Sequence, residues 1–156
     1  MILKLFGSAL LLAVGMAVAY QNARREKQRL EVLDAWIALL RFLRNQIDCY
    51  LRPLEEILAD PNAPTIPHGE PDAVPTLPAL LAASTPLLEP EGERLLAAFV
   101  REIGTSYRRE QVRRCDAYLT ALGELRARQA EGLPARVRAA STLLLCATLG
   151  VALLLW

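Results

Sequence analysis

The chain is poor in the residues that most chemistry needs. It has one histidine, His68, among 156 residues, so no histidine pair is available for a metal or a relay. Its three cysteines, Cys49, Cys115 and Cys146, are far apart and have neither metal-ligand nor redox spacing, which leaves free thiols suited to a reducing compartment. The eight glycines are scattered, and none builds a phosphate-cradling GxxxxGK[ST] or GxGxxG loop. Glu55 and Glu56 are adjacent, so they point to different sides of a helix and make a poor carboxylate pair for acid–base work. No strand or hairpin signal and no internal repeat stands out. A net charge of +1 gives no bulk attraction for nucleic acid. These absences point to a non-enzymatic protein with no catalytic residue, no metal and no cofactor.

Charge is also missing from both ends. Residues 5–20 and 139–156 carry none, and every acidic residue lies between Gln21 and Arg138. At 1.5 Å per residue, Met1–Tyr20 reaches about 30 Å and Ala139–Trp156 about 27 Å, close to the thickness of a bilayer's hydrocarbon core. Lys4 sits near enough to the end to snorkel. The expected organisation is a transmembrane helix over 1–21, a soluble helical domain over 22–138 and a second transmembrane helix over 139–156. Arg24, Arg25, Lys27 and Arg29 follow the first apolar run, and Arg136 and Arg138 precede the second. Both basic flanks face the central domain. The positive-inside rule therefore puts that domain in the cytoplasm and both termini outside, with the flanks on anionic lipid. A cleaved signal peptide ending at Ala17-Val18-Ala19 is the rival reading, but its positive excess would normally come first.

The central segment reads as helices. Leu30, Leu33, Ile37, Leu40, Ile47, Leu51 and Leu54 alternate steps of three and four, and Trp36, Leu39, Leu43 and Tyr50 widen the stripe. A stripe that wide suits a bundle helix with neighbours on both sides. Arg44 interrupts it and should reach solvent or an acidic partner. Pro53 ends or kinks this helix and opens a new turn with Glu55 and Glu56 near its positive end. Residues 60–90 hold eight of the ten prolines and read as a Pro-rich loop, with one short helix near Pro78–Ala83. A further helix runs from Pro90 or Glu91 to Ile103, stopped by Gly104. A long helix starts near Ser106, with a break or kink at Gly132 and Pro134. The expected fold class is all-α, a small helical bundle flanked by two transmembrane helices. Asp48–Glu102 is acidic along the sequence, which suggests a partner-facing surface. Glu55 and Glu56 there, and Arg108, Arg109, Arg113 and Arg114 on the long helix, are the candidate partner contacts.

Two segments resemble a known family. Gln46-Ile47-Asp48-Cys49-Tyr50-Leu51-Arg52-Pro53-Leu54-Glu55-Glu56-Ile57 is similar to the pattern after the first long helix of the stage III sporulation protein AB family, with Ile47, Pro53, Leu54 and Glu56 at motif positions. Ile103-Gly104-Thr105-Ser106-Tyr107-Arg108-Arg109-Glu110-Gln111 resembles a second motif through Gly104, Ser106 and Gln111, with Tyr107 where the family has aspartate. The Pro-rich 60–90 stretch stands where the family is usually longer and helical. The resemblance implies a subunit of the channel-like assembly between mother cell and forespore. Its soluble domain would be similar to the platform protein of type II secretion systems. The implied partners are other stage III sporulation subunits, including a secretion-type ATPase, together with membrane lipid and no nucleic acid. An oligomer is compatible with this. The readings that remain open are a general scaffold on anionic lipid and an extracytoplasmic protein held by its C-terminal helix.

Overall fold

The computed structural model describes residues 2–50, 52–67, 76–105 and 107–154. Five α-helices are present among them: α1 (Ile2–Tyr50), α2 (Leu54–Leu58), α3 (Leu77–Ser84), α4 (Pro90–Glu102) and α5 (Arg108–Leu154), with a 3₁₀ turn at Thr85–Leu87. No strand occurs among the described residues, and the fold is all-α. The chain divides into two units: Met1–Lys27 with Gln129–Trp156, and Gln28–Arg128.

In the first unit, most side chains of the apolar runs expected to span a membrane lie outside the described residues, while their backbone is helical. Among the described residues, no helix is long and apolar enough to cross a membrane. What is described of α1 here is informative. Val14 and Val18, one turn apart, are 55% and 46% exposed, Tyr20 is 70% exposed, and Gly15 is buried.

The second unit is built on the wide stripe of α1. Leu33, Trp36, Ile37, Leu39, Leu40, Leu43 and Ile47 are buried, as the spacing leads one to expect. Val32 is fully buried too, because the stripe is packed on more than one side. Tyr50 departs from expectation and is 67% exposed. It is the last residue of α1, and its ring lies beneath the Arg52 guanidinium at 6.0 Å instead of entering the core.

Pro53 opens α2 as its N-cap in extended geometry, and its carbonyl accepts from Glu56 N at 3.1 Å and Ile57 N at 3.2 Å. Ile57 and Leu58 then enter the core. Thr76 caps α3 by accepting from Ala79 N, and Pro78 fits because the first turn has no use for its missing N–H. α4 buries Leu96 and Phe99, and Phe99 meets Tyr118 of α5 edge-on at 5.5 Å. Gly92 brings α4 close to α5, since a Cβ there would lie 3.3 Å from Leu125 Cδ2. Gly104 ends the segment at φ +83°, a conformation that side chains with a Cβ rarely adopt.

α5 begins at Arg108, near Ser106 as expected, and the Tyr107 carbonyl accepts from Glu110 N and Gln111 N; Ser106 itself lies outside the described residues. One expectation needs correcting: α5 passes through Gly132 and Pro134 without a break. A proline removes a single N–H from the ladder, and the turns on either side keep their own bonds.

Candidate partner-binding surface

Exposed charges outnumber any other chemistry on the second unit, and most are already matched. Asp48, in the last turn of α1, receives Arg108 through both its backbone carbonyl and its carboxylate, the latter at 3.2 Å. Arg44 donates to Asp116 Oδ1 at 3.1 Å and lies 3.7 Å from Asp48 Oδ2. Its interruption of the apolar stripe therefore meets an acidic partner. The hydrogen bond it donates to Asp116, together with that carboxylate's charge, holds the Arg44 guanidinium above its ordinary pKa. Along α5, Glu110 accepts from Arg113 and Arg114, and these bonds hold its carboxyl below the usual range. Arg114 also reaches Glu102 at 3.7 Å. Arg126 grips Asp34 with two bonds of 2.9 and 3.1 Å, Arg128 meets Glu91 at 2.7 Å, and Arg52 meets Asp60 at 3.3 Å. These pairs are mostly solvent-exposed, so screening leaves each of them little net stabilisation.

The acidic middle of the sequence is thus partly neutralised by the fold. Asp48, Asp60, Glu91 and Glu102 all have arginine partners, three of them supplied by α5. Reading charge along the chain could not show this, because the cations lie as many as 60 residues away.

The candidate contacts separate accordingly. Arg108, Arg113 and Arg114 are committed to internal ion pairs. Glu55, Glu56 and Arg109 are exposed and have no partner among the described residues. Arg109 lines a cleft of about 340 Å³ with Asp48, Arg108 and Val112. Sequence reasoning missed Tyr107, which is 93% exposed. Its only signal was the departure from the family's aspartate.

The basic flank is similarly divided. Arg24 and Arg25 are exposed and unpaired among the described residues, whereas Lys27 and Arg29 each engage a neighbour. The side chains of Arg136 and Arg138 lie outside the described residues, as does His68.

The motif positions are mainly architectural. Ile47 is buried, Leu54 packs against the core, Pro53 caps α2 and Gly104 takes its positive φ. Gln111 is half-buried and bonded, while Glu56 is exposed. Cys115 is buried, and desolvation, followed by the Asp116 charge, pushes its thiol up to about 11. Among the described residues, no cluster of three metal-ligating side chains forms.

The two motif segments meet where Arg108 clasps Asp48, and the first of them falls within a stretch that matches a known family. The family model of stage III sporulation protein AB (spore_III_AB) matches residues 4–64. Over those residues the chain is similar to the stage III sporulation protein AB family. The match takes in α1, α2 and the loop as far as Pro64, and the second motif lies beyond it. No curated protein and no solved structure matches the chain. That family is a sporulation family, and the match implies a sporulation-related role.

Proposed function

We propose that the chain is a membrane-anchored, non-enzymatic subunit of a sporulation transenvelope complex, a platform on which a cytoplasmic secretion-type ATPase docks. The match over residues 4–64 carries this reading. Three further features support it. The ends are two uncharged apolar runs with basic flanks turned toward the helical unit. Val14 and Val18 present apolar side chains on an exposed face of α1, a costly arrangement in water and a favourable one in lipid. The helical unit between the runs has a continuous core and an exposed polar surface, as a docking domain requires.

In this reading the apolar runs anchor the chain, and Arg24 and Arg25 rest on anionic headgroups. The helical unit sits in the mother-cell cytoplasm, with both termini outside, and the other stage III subunits assemble around it. A general lipid scaffold is the second reading, favoured by the two unpaired arginines of the flank.

Co-purification separates the two. The full chain, tagged and extracted in mild detergent, is expected to retain the secretion-type ATPase expressed with it. Retention should survive Arg24→Gln with Arg25→Gln, which should weaken only binding to anionic vesicles. If the full chain bound such vesicles but never the ATPase, the platform reading would be wrong and the scaffold reading would stand.

A further inference from the structure

Both helices of the first unit have an exposed face. On α1, Val14, Ala17, Val18, Tyr20, Arg24 and Arg25 are exposed. At 3.6 residues per turn they fall within an arc of about 160°, and buried Gly15 lies outside it. On α5, Thr142, Cys146 and Gly150 recur every fourth residue and are exposed as well. Beside Gly150 there is open space.

The α1 face changes its chemistry in a fixed order along the helix. Val14, Ala17 and Val18 are apolar. Tyr20 has an apolar ring and a polar tip. Arg24 and Arg25 are cationic and unpaired among the described residues. From Val18 to Arg24 the axis advances six residues, about 9 Å. One leaflet's polar interface is about 5–8 Å deep, half the difference between the full bilayer and its hydrocarbon core. Apolar, then aromatic, then cationic over that distance is the order met on leaving a bilayer. Hydrocarbon comes first, then the zone where tyrosine is enriched, then anionic headgroups. A packed protein helix would account for the valines, but not for the tyrosine and the two unpaired arginines that follow at this spacing.

We propose that these two faces form a lipid-contact surface, and that the boundary between hydrocarbon and headgroups crosses α1 at Tyr20. This rests on the membrane-anchored reading and adds which side of each helix meets lipid and where the interface falls. The side of α1 that carries Gly15 faces protein, and the side that carries Val14 and Val18 faces acyl chains. On α5, Cys146 lies eight residues past Arg138, about 12 Å along the helix and deeper than the interface. Its thiol is therefore exposed on the protein yet shielded from water by lipid.

Depth-dependent fluorescence quenching tests this with the full chain in vesicles of phosphatidylcholine and phosphatidylglycerol. Val14→Cys, Tyr20→Cys and Arg24→Cys, each with Cys49→Ser and Cys146→Ser, carry a bimane label, and native Cys146 carries it in Cys49→Ser. Cys115 is buried and stays in place. Nitroxide deep in the acyl chains is expected to quench the labels at 14 and 146 most. Nitroxide at the headgroup should quench the label at 20 most. Iodide on both sides of the bilayer should quench the label at 24 and leave those at 14 and 146 bright. Flotation of the chain with the vesicles is read in parallel. If the chain floats but iodide quenches the labels at 14 or 146 as strongly as that at 24, the lipid-contact surface is wrong while anchoring stands. Equal depth for the labels at 14 and 20 would overturn the placement of the boundary. A chain that does not float would overturn anchoring, and the surface with it.

Discussion

Trp36 Nε1 donates a 3.0 Å hydrogen bond to Ser84 Oγ, joining α1 to α3 inside the core. Ser84 is the only buried polar side chain among the described residues, and its hydroxyl is also within reach of the Leu80 and Leu81 carbonyls at 2.9 and 3.0 Å. The hydroxyl therefore donates to α3's own backbone and accepts from the indole. Ser84→Ala should cost about 1–3 kcal/mol, because it leaves a buried N–H without an acceptor. Trp36→Phe combined with Ser84→Ala should cost less than the two single changes added together, since the orphaned donor is then gone. Denaturant melts of the full chain and the three variants measure this coupling. Simple additivity would show that the bond contributes nothing.

Leu40 is fully buried and Ile37 is 7% exposed on the same stripe. Leu40→Ala should destabilise the helical unit by about 2–5 kcal/mol, through lost apolar burial plus the cavity left behind. Tyr50→Ala, at the exposed end of the same helix, should change stability far less. Thermal unfolding followed by circular dichroism checks the contrast. Equal effects at the two positions would mean that the stripe is not the core.

Cys115 links stability to alkaline pH. Its ordinary value near 9 is raised to about 11 by burial, so the folded state keeps a proton that the unfolded chain loses. Below pH 9 both states hold the proton and its contribution is complete. Between pH 9 and about 11 the unfolded state gains by ionising, and stability falls as pH rises. Cys115→Ala should flatten that decline relative to wild type, whatever it costs at neutral pH. The same burial should leave Cys115 slow toward maleimides while exposed Cys49 reacts readily. Titrated melts from pH 8 to 11 test the first point, and mass spectrometry of labelled peptides tests the second.

The helices were legible in the sequence because local signals agree with one another. The three-four spacing from Leu33 to Ile47, Pro53, the Thr76–Pro78 start of α3 and Gly104 each act within a few residues. The surface was less legible, because its charge balance is set by long-range pairing. Asp34 with Arg126, and Asp48 with Arg108, join residues 92 and 60 positions apart. No local pattern foretells that Arg108 is consumed and Arg109 is not. The exposure of Tyr50 was missed for a related reason. The apolar period continues to it, but the helix stops there and Arg52 takes up its ring. At Gly132 and Pro134 the sequence suggested a break or a kink, and the helix is continuous there, because proline removes only one donor from the ladder.

Docking of a cytoplasmic ATPase requires the helical unit to lie on the cytoplasmic side, so topology is the most direct test of the whole account. Cys49 is a native reporter, exposed and within the helical unit. With Cys146→Ser to remove the second exposed thiol, the full chain in intact cells can be treated with maleimides. The account expects Cys49 to resist a membrane-impermeant maleimide, to react with a permeant one, and to react with both after the membrane is opened. Labelling of Cys49 by the impermeant reagent in intact cells, together with a mature chain beginning at Tyr20, would contradict it and place the domain outside.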